Sequence, residues 1–453
     1  MLKTRKNRII ALSAAVLALM VAAYCLLRFG FAIDLLDRSG WNNRHGQTKY
    51  LDYYGRPQTG WKYIDGKLYY FAPDGGVMAT GWQTVDGNQY YFGEDGVRAT
   101  GWKTVDGKTF YLAEDGKLQS GWCKIEQDNY YLAEDGTALT GWQTLDGKRF
   151  CFAPDGKLMI GWHTLEGKQY YFTATGETLS GWVELDGVRH RFAEDGAAVS
   201  GWFEDESGKF YLKENGSHHT GWLELEQKRY YFNEDGAQVT GWLTLEQERY
   251  YLYADGTMAI GEVKLDGVSN FFASSGKWVL MCNSKYPVPR DFVTKMANIE
   301  GFQFDISGRD ALEKMMEDCR AAGFDCKINN TYRSKATQQY MWNRSVAKYI
   351  AAGMTEEQAN KETGKDTMIP GHSEHQTGLA VDITGNQEMY DWLAEHCWEY
   401  GFILRYPSDK TDITGIIYEP WHFRYVGTEL SLELKELGLC MEEYFASITP
   451  KSE

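Results

Sequence analysis

Proline and basic residues are both scarce in this chain of 453 residues. Only 9 residues are proline, and the 47 lysines and arginines are outnumbered by 63 aspartates and glutamates, which gives a formal net charge of −16. Binding to the phosphates of a nucleic acid requires a basic surface. The composition therefore argues against a nucleic-acid partner, and the length predicts two or three domains.

Paired cysteine motifs are also missing. The 8 cysteines include no Cys-x-x-Cys sequence, so a structural zinc site built from thiolates is not expected. A disulfide is conceivable between Cys319 and Cys326, and another between Cys123 and Cys151. The alternative is that these cysteines are small buried hydrophobic residues.

Long apolar runs are absent except for one near the N-terminus. From Ile9 to Leu27 the sequence carries no charge, and as a helix these ~19 residues would span about 29 Å, the thickness of a bilayer core. Basic residues precede the run, which predicts a cytoplasmic N-terminus (1–8), a transmembrane signal-anchor (9–31) in the cell membrane, and an extracytoplasmic remainder. A cleaved signal peptide is the alternative, although its apolar region is normally shorter.

Aromatic residues are abundant, with 16 Trp and 30 Tyr, and most of them belong to a repeat. A Gly-Trp pair recurs every 20 residues from Gly40 onwards, with one step of 21, and a degenerate unit opens at Gly261. In a typical unit, two short aromatic strands flank a turn such as Asp86-Gly87, a strong hairpin signal. A single hairpin is unstable, so residues 40–280 are predicted to form an all-β hairpin-repeat solenoid.

These units resemble the cell-wall-binding repeats of choline-binding and glucan-binding proteins. The resemblance implies that a wall ligand contacts the repeat aromatics Trp61, Trp82, Trp102, Trp122, Trp142, Trp162, Trp222, Trp242, Tyr70, Tyr91, Tyr111, Tyr131, Tyr171 and Tyr231. The choline-binding branch has a second tryptophan just before the tyrosine pair, whereas here that position holds Leu68, Gln89, Thr109, Asn129, Arg149, Gln169, Arg189, Lys209, Arg229 or Arg249. A quaternary ammonium prefers an aromatic cage. We therefore expect a cell-wall glycan or a teichoic-acid-type polymer, and the alternative is that the aromatics only pack one hairpin on the next.

After residue 280 the period stops, and residues 281–453 show helices and strands without regular alternation. The pattern predicts helices over 311–322, 335–351 and 389–400, and a further helix that starts with a capping box at Thr355. It predicts a strand over 327–332 and a strand pair or one bent strand over 415–425. Such a mixture favours a compact α+β domain.

Residues 371–383 of this domain combine histidine with carboxylate. If the end of this stretch is a strand, Asp382 lies on the face opposite its apolar neighbours and in line with His375. A buried carboxylate is costly unless it is paired or binds a metal. His422 can supply a third ligand from a separate strand, and Glu419 lies close to it as a possible base.

The spacing of these residues resembles that of the VanY-type D-alanyl-D-alanine carboxypeptidases, which are zinc metallopeptidases of the LAS group. The matching positions are Ser373, His375, Gly378, Ala380, Asp382, Glu419 and His422, with Thr331 to Ser334, Gln338 and Tyr400 to Pro407. The resemblance implies one Zn²⁺ per chain, bound by His375, Asp382 and His422. It leaves His372 outside the ligand set and makes Glu419 the catalytic base.

The same resemblance assigns the substrate contacts. Arg333 would meet the carbonyl oxygen or the terminal carboxylate of the peptide during catalysis, since a guanidinium suits either group. Gln338 and Ser373 would hold the substrate, and Trp421 would either shape the pocket or simply pack.

The expected function is zinc-dependent removal of the terminal D-Ala from peptidoglycan stem peptides by an enzyme held at the wall through its repeats. Two alternatives stay open. Relatives with similar motifs act as L,D-carboxypeptidases on tetrapeptide stems. A non-catalytic wall-binding or adhesion protein is the other alternative, and the intact ligand set argues against it.

Overall fold

The computed structural model describes residues 16–21, 23–24, 38–290 and 292–450. The predicted membrane span at 9–31 lies mostly outside these residues, and among those described no helix is long and apolar enough to cross a bilayer. Close packing divides the chain into two units. The first comprises Met1–Ser200 with Glu214–Ser217, and the second comprises Gly201–Lys213 with His218–Glu453.

The first unit contains antiparallel two-stranded hairpins that follow the sequence repeat. Their strands are β1 (Gly40–Arg44), β2 (Gln47–Leu51), β3 (Gly60–Ile64), β4 (Lys67–Phe71), β5 (Gly81–Val85), β6 (Asn88–Phe92), β7 (Gly101–Val105), β8 (Lys108–Leu112), β9 (Gly121–Ile125), β10 (Asp128–Leu132), β11 (Gly141–Leu145), β12 (Lys148–Phe152), β13 (Gly161–Leu165), β14 (Lys168–Phe172), β15 (Gly181–Leu185) and β16 (Val188–Phe192). In the β5–β6 hairpin, Asp86 and Gly87 have φ of 51° and 80°. Positive φ at both turn residues matches the twist of the flanking strands, so the predicted turn is confirmed.

Successive hairpins in this unit pack on one another through the Gly-Trp tryptophans. Trp82 contacts Tyr91 of its own hairpin, with ring centroids 5.2 Å apart, and Phe110 of the next hairpin at 4.9 Å. The backbone N–H of Arg98 donates to the Leu68 carbonyl of the preceding hairpin at 2.9 Å. Each hairpin thus depends on its neighbours for burial of its aromatic face, as the repeat predicts.

The second unit begins with hairpins of the same kind, and the last of them packs against the C-terminal domain. Its repeat strands are β17 (Gly201–Asp205), β18 (Gly208–Leu212), β19 (Gly221–Leu225), β20 (Lys228–Phe232), β21 (Gly241–Leu245), β22 (Glu248–Leu252), β23 (Gly261–Leu265), β24 (Val268–Phe272) and β25 (Trp278–Val279). In β23 the tryptophan position is Glu262, whose carboxylate accepts hydrogen bonds from Ser269 and from the Tyr286 hydroxyl. Phe271 packs against Phe445 at 5.1 Å. The period ends near residue 280, but the last hairpin shares a core with the C-terminal domain.

The remainder of the second unit is an α+β domain around a four-stranded antiparallel sheet. The domain contains a separate two-stranded sheet of β26 (Met296–Ile299) and β27 (Phe302–Asp305), and the four-stranded sheet consists of β28 (Lys327–Asn330), β29 (Ala380–Thr384), β30 (Phe402–Leu404) and β31 (His422–Tyr425) in the order β28-β29-β31-β30. In this domain the alternation of helices and strands is irregular. Its helices are α1 (Ile306–Ala321), α2 (Lys335–Ala351), α3 (Glu356–Thr363), α4 (Gln387–His396), α5 (Thr411–Thr414), α6 (Thr428–Leu437) and α7 (Met441–Ile448), with 3-10 turns at Glu374–Thr377 and Cys397–Tyr400. Leu312, Met315 and Met316 of α1 are buried in one core with Val381 and Phe423 of the sheet.

Most of the predicted elements of this domain are present. Helix α2 has the predicted bounds, and Thr355 caps α3 through the predicted capping box. Of the strand pair or bent strand predicted over 415–425, only β31 is present, because Gly415 adopts φ of 75° and Pro420 lacks an N–H for a sheet. Strands β26, β27 and β30 and helices α5, α6 and α7 were not predicted.

The described cysteines form no disulfide. All of them are free thiols. Cys123 is partly exposed, and the others are buried, namely Cys151, Cys282, Cys319, Cys326, Cys397 and Cys440. The interpretation of these residues as small hydrophobic side chains is therefore the one that the structure supports.

Candidate metal centre and active site

Three neighbouring strands bring the polar residues of the site side by side. In the register of the sheet, Asp382 of β29 pairs with Asn330 of β28 on one side and with His422 of β31 on the other. Val381 and Ile383 are almost fully buried in the core. Because side chains alternate along a strand, Asp382 must point to the opposite face, as the sequence predicts.

His375 reaches the same place from the 3-10 turn that precedes β29. Its Nε2 atom lies 3.2 Å from Oδ2 of Asp382, and Nδ1 of His422 lies 3.1 Å from Oδ1 of the same carboxylate. Gly378 ends the turn with φ of 78°, a conformation that glycine adopts easily, and so allows the chain to enter the strand. The three predicted ligands are therefore brought together and buried.

The residues of this group fit a tetrahedral metal ion. Zinc bound at about 2.0–2.1 Å separates its ligand atoms by roughly 3.3 Å, close to the distances between these atoms. The Nδ1 atom of His375 lies 2.6 Å from the Thr331 carbonyl oxygen, so it carries the proton and leaves Nε2 free as a ligand. Oδ1 of Asp382 is buried and has no hydrogen-bond partner within the described part of the chain. A cation would satisfy this oxygen.

Glu419 lies beside the ligand group without belonging to it. Its Oε2 atom is 3.6 Å from Nδ1 of His422, and its backbone N–H donates to the Tyr406 carbonyl at 3.1 Å. Burial raises the pKa of Glu419 to about 7, although the nearby His422 opposes the shift. A carboxylate with a pKa in this range can accept and return a proton near neutral pH.

Arg333 faces the same group, and Gln338 holds it there. A guanidinium nitrogen of Arg333 lies 3.7 Å from Oδ2 of Asp382, and another donates to the Gln338 side-chain oxygen at 2.9 Å. The Gln338 amide nitrogen donates to the Met368 carbonyl at 2.7 Å, and the side chain is fully buried. Both ends of the Gln338 amide thus have a partner within the protein and orient Arg333, and a direct contact of Gln338 with substrate stays a prediction.

The remaining predicted residues lie around the site. Ser373 is buried next to the turn that carries His375, whereas Trp421 is 37% exposed between Glu419 and His422. Contact of Ser373 and Trp421 with substrate stays a prediction. His372 turns away from the ligand group, with Nδ1 2.8 Å from the Asn283 carbonyl oxygen.

One part of the site was missed in the sequence, namely the support behind His422. Oε2 of Glu374 lies 3.5 Å from Nε2 of His422, and Oε1 accepts from Arg405 at 2.8 Å and lies 3.2 Å from an Arg424 nitrogen. Arg405 also donates to both oxygens of Glu442 in α7. Burial by itself would raise the pKa of Glu374, yet Arg405 and Arg424 hold it well below its ordinary value. The sequence signal that could have found this support is the acidic Glu374 inside the histidine motif, together with Arg405 directly after the apolar strand β30 and Arg424 within β31.

The aromatic residues of the repeats pack against neighbouring hairpins, and several of them are also partly exposed. Apart from Trp142, which faces Cys151 in its own hairpin, the predicted tryptophans lie between a tyrosine of their own hairpin and an aromatic ring of the next, as Trp102 does between Tyr111 and Tyr130. Trp102, Trp122 and Trp242 nevertheless expose 39%, 47% and 41% of their surface. Packing is thus established for these residues, and ligand binding stays a prediction.

Comparison with known families finds matches in two parts of the chain. Residues 303–428 match the D-alanyl-D-alanine carboxypeptidase family VanY. Residues 79–118, 99–140 and 219–262 match the choline-binding repeat, and residues 59–78 and 200–217 match a cell wall binding repeat.

Individual relatives match the C-terminal part. A D-alanyl-D-alanine carboxypeptidase of Enterococcus faecalis is 40% identical over 174 residues, which cover 37% of this chain and 65% of that protein. Another from Enterococcus faecium is 34% identical over 176 residues, 37% of this chain and 56% of that protein. The match therefore spans less than two thirds of both relatives. The bifunctional D-Ala-D-Ala dipeptidase and D-Ala-D-Ala carboxypeptidase VanXYC of Enterococcus gallinarum is 38% identical over 141 residues, 28% of this chain and 70% of that protein. With this site and these matches, the chain belongs to the VanY family of D-alanyl-D-alanine carboxypeptidases.

Proposed function

We propose that this chain is a zinc-dependent D-alanyl-D-alanine carboxypeptidase that releases the terminal D-Ala from peptidoglycan stem peptides. The observation that carries the proposal is the buried group of His375, Asp382 and His422, with the Glu419 carboxylate 3.6 Å from one of its nitrogens. Relatives with this activity in their names support the choice of substrate.

The residues divide the chemistry between them. His375, Asp382 and His422 would hold one zinc ion, which when bound supplies a Lewis acid and lowers the pKa of coordinated water toward about 7. Glu419 accepts a proton on its carboxylate from the attacking water and gives it to the leaving amine. Its raised pKa of about 7 suits both directions of transfer.

Arg333 gives the site its preference for the end of a peptide. Its guanidinium is largely buried, remains positively charged, and is fixed by Gln338 beside the ligand group. A planar fork of donors in this position binds the terminal carboxylate of a peptide, or the carbonyl oxygen of the bond to be cut, more tightly than water does. Either contact orients the scissile bond toward Glu419.

The repeats would hold the enzyme at the cell wall by binding a wall glycan or a teichoic-acid-type polymer. Partly exposed indoles such as Trp122 support this role, as does the match to wall-binding repeat families. The uncharged run in 9–31 supports a single-pass membrane anchor with the N-terminus inside. The catalytic domain would then act outside the membrane.

The test uses the full-length protein, purified and loaded with zinc. It should release D-Ala from a pentapeptide stem ending in D-Ala-D-Ala, lose that activity on chelation, regain it with zinc, and resist penicillin. Preferential turnover of a tetrapeptide stem would instead establish an L,D-carboxypeptidase. Failure to cleave either peptide with one zinc bound per chain would favour a wall-binding protein without catalysis.

A further inference from the structure

Several tryptophans of the repeats carry a basic side chain over their indole ring. The cationic group lies between 4.0 and 4.7 Å from the ring centroid in the pairs Arg149–Trp142, Arg189–Trp182, Lys209–Trp202, Arg229–Trp222 and Arg249–Trp242. Each basic residue directly precedes the two positions that hold an aromatic pair in a typical unit. These distances are typical of cation–π contacts, so the side chains are already engaged within the protein.

Two of these arginines also donate a hydrogen bond to a backbone carbonyl further along the chain. A terminal nitrogen of Arg149 donates to the backbone carbonyl of Asp195, which lies 46 residues later in a turn two repeats further along the chain. Arg229 donates to the carbonyl of Ser275 at 3.1 Å, again 46 residues later. In both places the guanidinium fills the space between its own indole and that turn.

At Trp122 the same space is a cavity. The position that corresponds to Arg149 is Asn129, and the position that corresponds to Asp195 is Thr175, because each lies one 20-residue repeat earlier. Trp122, Asn129 and Thr175 line a cavity of about 450 Å³. Asparagine is too short to bridge the indole and the turn, which explains why the space stays open here.

The charges around this cavity favour a cation. Asp146, Lys148 and Glu177 contribute to its lining, and Lys148 is paired with Glu177 at 2.7 Å. The lining therefore has one more carboxylate than it has cations, which disfavours a phosphate group. A quaternary ammonium would interact with the indole, but it has no N–H to donate to a backbone carbonyl. A protonated primary amine has both the charge and the donors.

We propose that the Trp122 cavity binds a protonated amino group of a wall polymer, which takes the place that arginine takes in the neighbouring repeats. The volume also admits the sugar or amino acid that carries the amine. This inference rests on the wall-binding part of the proposed function and names the group that is recognised. Two wall components carry such amines, namely de-N-acetylated glycan strands and teichoic acids esterified with D-alanine.

The experiment measures binding of defined probes to the full-length protein by calorimetry. The amine probes are a glucosamine tetrasaccharide and a D-alanylated teichoic acid, and the matched controls are the N-acetylated tetrasaccharide, the same teichoic acid without its D-alanine, and choline. We expect at least one amine probe to bind at least tenfold more tightly than its control, and the one that binds identifies the source. Equal binding of the controls, binding of choline alone, or no binding of either amine probe would overturn the proposal.

Reciprocal variants locate the site. Asn129→Arg should weaken binding of the amine probe at least tenfold, because the arginine would fill the cavity as Arg149 does one repeat later. Arg229→Asn should add a second binding site at Trp222. Unchanged binding by Asn129→Arg, with a thermal melt like that of the parent protein, would contradict the assignment. Release of D-Ala from a soluble pentapeptide by the parent protein reports separately on catalysis.

Discussion

The repeats and the C-terminal domain use charged residues in different ways. In the repeats, ion pairs such as Lys108–Asp135 lie at the surface, with more than half of each side chain exposed, around an interior of rings such as Phe92. In the domain, Arg405 and Glu374 form a fully buried pair behind the metal ligands. Exposed pairs contribute little to stability, whereas breaking a buried pair is costly. A substitution in a repeat should therefore lower only the local stability, whereas a substitution in the buried pair should also weaken metal binding and catalysis.

Loss of a ligand should have the largest effect. His422→Ala removes a nitrogen from the metal group, and we expect zinc affinity to fall by more than about 100-fold, beyond the loss typical of a supporting residue, with no measurable release of D-Ala. Zinc content after dialysis and pentapeptide turnover check this. His372→Ala is the matched control, since this histidine bonds the Asn283 carbonyl, and it should retain both. Equal zinc loss in the two variants would refute the assignment of ligands.

Glu374→Gln should affect both stability and metal binding. The change leaves Arg405 without one of its buried carboxylates, which costs about 3–5 kcal/mol, and it weakens the support of His422, which costs about 10–100-fold in zinc affinity. Urea unfolding and competition with a chelator measure the two effects. Glu442→Gln breaks the other contact of Arg405 and should lose stability while keeping zinc affinity. Identical zinc affinities in both variants would mean that Glu374 does not position His422.

Phe92→Ala should lower the stability of the repeats without changing catalysis by the C-terminal domain. Phe92 is fully buried in a repeat, and its removal should cost about 3–5 kcal/mol of local stability. Turnover of a soluble pentapeptide should not change, because the substrate site lies in the second unit. Tyr63→Ala, at a residue that is 75% exposed, should leave the same melting transition unaltered. A fall in turnover with Phe92→Ala would show that the repeats support the catalytic domain.

Gly87→Ala should have the smallest effect. No atom lies within 4 Å of an added Cβ, so only the positive φ of this residue is penalised, at about 1–2 kcal/mol. Gln89→Ala, at an exposed position of the following strand, should change the unfolding free energy by less than about 0.5 kcal/mol. Thermal unfolding followed by tryptophan fluorescence distinguishes the two, and an equal cost would argue against a strained turn.

The ligand group could be predicted because it depends on local rules. Alternation along one strand fixes the face of Asp382, and two short motifs supply His375, Glu419 and His422. The role of Glu374 could not be predicted in the same way, since its partner Arg405 is 31 residues away and only the folded sheet brings them together. Likewise, nothing local shows that Gln338 is buried behind Arg333.

The repeats show the same limit at a smaller scale. Period and turn residues predict the hairpins, because a two-residue turn with positive φ fixes the register of both strands. The sequence does not show whether Arg149 points to solvent or lies across an indole, since that depends on the carbonyl of a turn two repeats further on. The strands and turns of each hairpin can thus be predicted from the sequence, whereas the side-chain contacts between different repeats cannot.

The most direct test of the account compares D-Ala release by the full-length protein and by Glu419→Gln, each loaded with one zinc per chain. The variant keeps the ligand group and loses the proton acceptor. The account predicts equal zinc content and a fall in kcat of about 10²–10⁴-fold. Undiminished release of D-Ala by the zinc-loaded variant would contradict the role of Glu419 and the catalytic centre built around it.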